Sequence, residues 1–375
     1  MLLINNPFVT SGYIAPEYFC DREKETEELL RWLLNENNVA VISTRRMGKT
    51  GLIQHCFQLA EVKDHYYTFL IDIYATKTLR EFVFQLGKAI LTALKPKGRK
   101  TWELFINSLT SLKAGFTFDM SGMPQWNIEL GDVKSPETTL DEIFHYLSLS
   151  DKPCIVAIDE FQQVAQYPEK NTEALLRTYI QHCPNARFVF AGSQRHLMGE
   201  MFISPARPFY QSVSILHLAA IDRQKYIEFA RHHFRMAQKD IDEEVVASLY
   251  DRFEGITWYL QKILNILFAV TPPGEVCNKE MIEQAIHFIL DSYSFTYSEL
   301  LYQLPEKQKE LLIIICNTLI TISLYNLSGK TLPASFLRKG CRIYPPPQYG
   351  GCYGSHRRCV GKGFCNQRRG FLYGL

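Results

Sequence analysis

Residues Ser43-Thr44-Arg45-Arg46-Met47-Gly48-Lys49-Thr50 limit what this chain can fold into more than any other stretch. An apolar run, Val39-Ala40-Val41-Ile42, precedes them, and Leu52-Ile53 and Phe57 follow. The order is strand, loop, helix. The spacing is that of a phosphate-binding loop, G-x-x-x-x-G-K-[ST], with its last three positions intact and its first glycine replaced by Ser43. Such a loop points successive backbone N–H groups at a phosphate, while the lysine reaches the β and γ oxygens and the hydroxyl holds Mg²⁺. On this reading Gly48 allows the tight turn, Lys49 takes the phosphate charge and Thr50 is the metal ligand. Gly-Lys-Thr alone is a weak signal. Its position between a β-rich run and an amphipathic helix separates it from a solvated basic turn.

A second motif fits the first. Pro153-Cys154-Ile155-Val156-Ala157-Ile158-Asp159-Glu160 is an apolar strand that ends in two carboxylates, about 110 residues after the lysine. This is the form of a Walker B strand. Asp159 is expected to hold Mg²⁺ through water, and Glu160 to orient and deprotonate the attacking water. A strand that merely stops at a solvated acid is the plain alternative.

The 375 residues suffice for a sizeable core and two or three domains. At 46% hydrophobic and 21% charged the composition is that of an ordinary globular chain. The longest apolar run, Leu311 to Cys316, is too short to span a bilayer. Met1 to Pro7 lacks the basic start and apolar stretch of a signal peptide, so a cytoplasmic location is expected. Ten cysteines are present, and the first six are scattered, some within apolar runs (Cys154, Cys316), as expected of buried free thiols. The net charge of +2 is uneven: nine Lys or Arg and no acid follow Glu310, which leaves residues 1–310 at −7. Such a body does not demand nucleic acid.

Strands and helices alternate. Helices are expected at Asp21–Asn35, Thr50–Glu61, Thr78–Leu94, Thr139–Leu149 and Asn171–His182. Strands are expected at Tyr66–Ile73, Arg187–Ala191 and Val213–Leu218, besides the two motif strands. Residues 96–135 break this rhythm. A basic run from Lys95 to Lys100 leads to alternating segments, Gly115 to Phe118 and Trp126 to Leu130, around Ser121-Gly122, which reads as a surface β-hairpin insert. The expected fold class is α/β, a parallel sheet sandwiched by helices, with ligand bound at the carboxyl edge of its strands. From Asp222 to Ser292 only helices are expected.

With these segments in place, the chain resembles the archaeal-type ATPase branch of the STAND and AAA+ P-loop NTPases. The resemblance rests on Tyr18 to Glu25, Ser43 to Thr50, Ile158-Asp159-Glu160-Phe161-Gln162, Ala191-Gly192-Ser193 and Gly255 to Leu260. It implies ATP and Mg²⁺ as ligands and three parts: an ATPase core at 1–220, a helical lid at 221–300 and a C-terminal winged-helix-like region at 301–375. It implies that Phe19, Arg22 and Glu23 lie beside the adenine and that Ser193 senses the γ-phosphate. The nucleotide-binding set is then Ser43, Thr44, Arg45, Arg46, Met47, Gly48, Lys49, Thr50, Gly51, Phe19 and Arg22. Lys49, Glu160 and Ser193 are the catalytic set, and Thr50 and Asp159 the Mg²⁺ ligands. Two residues depart from the pattern, Ser43 and Asp21, where glycine is usual, and the Gly255–Leu260 turn lacks the usual arginine. Ser43 and Asp21 argue against high affinity, and Ser43 with the missing arginine favours slow turnover.

Plainer readings stand beside these. Tyr18 and Phe19 serve equally as core aromatics, and Ser193 as a helix cap. Arg177 and Arg207 are candidate arginine fingers. His145, His232 and His233 have no partner at metal-ligand spacing. A protein or DNA client and a homo-oligomer stay open, and no membrane association is expected. The rivals to an ATP-hydrolysing switch are a nucleotide-locked or nucleotide-independent adaptor and a nucleic-acid-remodelling ATPase. The tail loses the winged-helix pattern after about Lys330. Cys341, Cys352, Cys359 and Cys365, spaced too widely for paired zinc ligands, sit among basic residues. A zinc site, a basic nucleic-acid arm and an altered reading frame would each produce such a tail, and the altered frame is favoured.

Overall fold

The computed structural model describes residues 6–327. In chain order the first elements are α1 (Glu23–Leu34), β1 (Val39–Ile42), α2 (Lys49–Gln58), α3 (Ala60–Lys63), β2 (Tyr67–Asp72) and α4 (Leu79–Leu94). Next come α5 (Arg99–Ser108), β3 (Phe116–Phe118), β4 (Pro124–Trp126), α6 (Pro136–Leu149), β5 (Cys154–Asp159), α7 (Thr172–Gln181), β6 (Ala186–Gly192), α8 (Arg195–Ile203) and β7 (Ser214–His217). The remainder is α9 (Arg223–Met236), β8 (Asp240–Ile241), α10 (Glu243–Arg252), α11 (Thr257–Val270), β9 (Val276–Cys277), α12 (Glu280–Ser292), α13 (Ser294–Gln303) and α14 (Glu306–Leu327). The described residues up to Ala285 form one compact unit, and those from Ile286 onward belong to a second.

Five strands make one sheet in the order β2-β5-β6-β1-β7, and every neighbouring pair is parallel. All four residues of β1 and all six of β5 are buried, which explains why their sequences are continuous apolar runs. Phe82, Leu86 and Ile90 of α4 and Leu140, Ile143 and Leu147 of α6 belong to one core cluster. Leu29 and Leu33 of α1 and Leu52 and Ile53 of α2 belong to the other. The register pairs Ile42 with Gly192 and Asp72 with Asp159, so these strands end together at one edge.

The helix expected over Thr50–Glu61 is interrupted. Leu59 is extended (φ −68°, ψ 144°), and the short α3 carries Val62 into the core. The insert also differs from its expectation. Its hairpin forms, with Phe116 opposite Trp126, but the second strand is Pro124–Trp126 rather than 126–130. Nor is it a surface feature: Trp102, Phe105, Ile106, Leu109, Phe116 and Ile128 all join the larger core cluster. The reason is visible in the sequence, where 102, 105, 106 and 109 lie on one helical face. The basic residues before them obscure the period.

One close approach locks the insert. Trp126 packs edge-on against Phe84 and Phe116 at 5.7 and 5.5 Å. A Cβ on Gly87 of α4 would lie 2.6 Å from the Trp126 ring. Gly87→Ala gains about 1 kcal/mol of helix propensity and costs about 1–3 kcal/mol of overpacking. A lowered thermal midpoint is therefore expected in spite of the better helix former. An unchanged or raised midpoint contradicts this packing.

Five of the six described cysteines (20, 56, 154, 183 and 277) are buried free thiols, as expected, but Cys316 is exposed. Six consecutive apolar residues, Leu311 to Cys316, must go round the whole surface of a helix, so burial cannot hold for all of them. Among the described residues no helix is long and apolar enough to cross a membrane. The expectations for the tail cysteines and for the winged-helix pattern after about Lys330 lie outside the described residues.

Candidate functional site

A cleft of about 560 Å³ opens at the carboxyl edge of the sheet. Residues 45–51 of the loop and first turn of α2 line it, as do Asp72, Asp159 and Glu160 at the strand ends. Ser43 is buried where β1 ends, and its Oγ donates to the Thr44 carbonyl at 2.9 Å. Within the loop the positive-φ residues are Arg46 (φ 68°) and Gly48 (φ 90°). Serine therefore occupies the first position without backbone strain. Gly48 caps α2, and an added Cβ there would meet nothing within 4 Å, so conformation rather than space asks for glycine.

Lys49 is only 6% exposed and Asp159 7%. Burial lowers the Lys49 ammonium below the usual lysine range, against the pull of Asp159 and Glu160. Burial likewise raises the Asp159 carboxyl, against Thr50 and Lys49. Both charges are thus held at a cost that an anion beside Lys49 and a cation beside Asp159 would relieve. The Thr50 hydroxyl donates to Asp159 Oδ2 at 2.5 Å. Asp72, on the adjacent strand, lines the same cleft. These hard oxygen donors suit Mg²⁺. Among the described residues no group of three or more His, Cys, Asp or Glu forms a cage, and a magnesium ion that shares its shell with phosphates needs none.

Glu160 sits in the left-handed region (φ 57°), and its backbone N–H donates to Asp159 Oδ1 at 2.9 Å. Its Oε2 accepts from the Ser193 hydroxyl at 2.7 Å and from the Gln162 amide. Ser193 thus meets Glu160 directly, which is more than a helix cap does.

The flanking residues divide. Phe19 stacks on His55 at 4.5 Å and meets Tyr13 edge-on at 5.7 Å. It lines the cleft, over Gly51 of α2. Arg45 lies over the Tyr74 ring at 5.5 Å. Arg46 turns its guanidinium onto Trp258, 4.4 Å from the ring centre. Arg22 is buried, bonds Glu25 at 2.7 Å and donates to the Met47 carbonyl at 3.2 Å. It lines the cleft and braces the loop at Met47. Arg22→Met should therefore lower the ligand-free stability by about 1–3 kcal/mol, through an orphaned carbonyl and an unpaired Glu25. A residue that only touched ligand would leave the ligand-free midpoint unchanged in a denaturation scan.

Residues 19–263 match the family described as ATPase domain predominantly from Archaea. The chain belongs to this family. No match was found among curated proteins. The fold of this archaeal-type ATPase is similar to that of a Walker-type ATPase of Pyrococcus abyssi, at 17% identity and a TM-score of 0.59, with 89% of this chain and 91% of that one covered. It is also similar to the ORC2 protein of Aeropyrum pernix in its ADPNP and ADP complexes (15% identity, TM-score 0.55, 98% and 87% covered). A third likeness is to the ORC1 protein of Aeropyrum pernix in complex with DNA (14%, TM-score 0.52, 82% and 75%).

Other candidate residues of the ATPase domain lie outside the cleft. Arg207 is paired with Glu173 at 3.1 Å and Glu200 at 2.9 Å. Arg177 is half-buried on α7. His233 is buried against the Glu17 carbonyl at 3.0 Å and stacked on Tyr18 at 5.7 Å. His145 is exposed. A second cleft of about 620 Å³, lined by Thr78, Ser135 and Glu169 among others, lies apart from the loop. Sequence reasoning missed Asp72 and the Gln162 contact. Asp72 carried a usable signal, a strand-final acid like Asp159. Gln162 stands within the Asp-Glu-Phe-Gln motif, but nothing in the sequence pairs it with Glu160.

Proposed function

We propose that the protein is an ATP-binding switch of the STAND and AAA+ type that hydrolyses ATP in the cytoplasm. The observation that carries this reading is the gathering of Lys49, Thr50, Asp159 and Glu160 in one cleft. The loop amides and Lys49 bind the phosphates. Thr50 and Asp159 hold Mg²⁺, which when bound neutralises charge on the transferring group. Glu160 accepts a proton from the attacking water. Ser193 orients the Glu160 carboxylate through its hydroxyl. Residues 221–300 act as the lid, and its closure on the sheet is the output. A thermal-shift panel tests the reading. ATP with magnesium should raise the midpoint by roughly 3–5 °C at a hundredfold excess over Kd. No shift with any nucleotide would end it.

A nucleotide-locked switch with little turnover is the second reading. It is favoured by one observation: a single Glu160 oxygen already accepts from both Ser193 and Gln162. ATP binding without phosphate release above background would select it. A DNA client has some support in the exposed Lys97, Arg99 and Lys100, and would appear as phosphate release stimulated by DNA.

A further inference from the structure

Arg46 belongs to the phosphate loop, yet its contacts lie with α11. Its guanidinium covers Trp258 at 4.4 Å and Tyr259 at 5.1 Å. Its Nη1 donates to the Tyr259 hydroxyl at 2.6 Å. Its carbonyl accepts the Trp258 backbone N–H at 3.2 Å. That last bond does double duty. The first N–H groups of a helix have no partner within it, and Ile256 at the α11 N-cap offers no side-chain bond. The loop carbonyl caps α11 instead. In a trans peptide the C=O and N–H point in opposite directions. A 46–47 peptide whose oxygen is held by Trp258 therefore aims the Met47 N–H away from α11. The next carbonyl, Met47, is held in the same way by Arg22 at 3.2 Å, which fixes the Gly48 N–H. Two successive donors of the loop are set from outside it.

We propose that Arg46 is a positioning residue that couples the loop to α11, so that the anion-ready loop and the seated helix stabilise one another. The inference rests on the cleft binding nucleotide. The coupling is reciprocal: whatever α11 adds to phosphate affinity, bound phosphate adds to the seating of α11.

The test is a double-mutant cycle read by calorimetric ATP·Mg²⁺ titration. Arg46→Met removes the ring contacts and the hydroxyl bond and should weaken binding about tenfold. Tyr259→Phe removes only the hydroxyl bond and should weaken it about threefold. In the Arg46→Met background, Tyr259→Phe should have no further effect. Additive losses would mean that Arg46 acts on the ligand directly, and would overturn the coupling. A second readout is Trp258 emission, isolated by subtracting a Trp258→Phe variant. It should differ between ligand-free wild type and Arg46→Met, and should respond to ATP·Mg²⁺ in wild type only. Nucleotide binding with no Trp258 response overturns the coupling and leaves the proposed function standing. No binding at all, with the ligand-free emission difference intact, overturns both.

Discussion

Lys49→Met is expected to abolish the nucleotide-induced rise in thermal midpoint while leaving the ligand-free midpoint unchanged or higher. The two halves have one cause. Lys49 is almost fully buried, and desolvation outweighs the attraction of Asp159 and Glu160, so its folded-state pKa lies below the unfolded value. A lysine shifted in that direction costs stability wherever the unfolded chain holds it charged, which includes neutral pH, and the cost disappears only above the unfolded pKa of about 10.4. Methionine of similar volume removes the buried charge without opening a cavity. Once a triphosphate is present the sign reverses. Loss of a buried cation from an anion costs about 3–5 kcal/mol, or roughly a factor of 10²–10⁴ in Kd. Calorimetric titration and a ligand-free melting scan check the pair together. A destabilised ligand-free protein with normal affinity would contradict both halves.

Glu160→Gln should separate binding from turnover. The amide keeps the shape of the carboxylate and an oxygen that can accept from Ser193 and Gln162, so Kd for ATP should change less than about threefold. It cannot take a proton from water, so phosphate release should fall by about 10²–10⁴-fold. Measured side by side, unchanged affinity with lost release supports Glu160 as the base. Release that persists in the variant would move the proton-accepting role elsewhere. Equal loss of binding and release would make Glu160 a structural acid.

Much of this arrangement is legible in the chain because its signals are local. The buried strands read as apolar runs, and the loop and the Asp159-Glu160 pair each fall within eight residues. The rest depends on partners far apart in sequence. Arg46 and Tyr259 are separated by 213 positions, and no pattern announces that a loop arginine packs on an aromatic pair of α11. Family resemblance places Arg22 beside the ligand, and Arg22 does line the cleft, but no pattern announces that its guanidinium also holds a loop carbonyl. The insert reads as a surface feature because the six basic and turn residues at 95–100 dominate the window, and α5 hides its apolar face behind them. Asp72 escapes notice because an acid at a strand end becomes informative only when the register sets it beside Asp159.

The most direct test of the central claim is a crystal structure of the protein with ADPNP and magnesium. The account predicts phosphate oxygens within hydrogen-bond reach of Lys49 Nζ and of the amides around Gly48, with the ion beside Thr50 and Asp159. Phosphates seated in the other cleft, near Thr78 and Ser135, with the Thr50–Asp159 contact undisturbed, would contradict it.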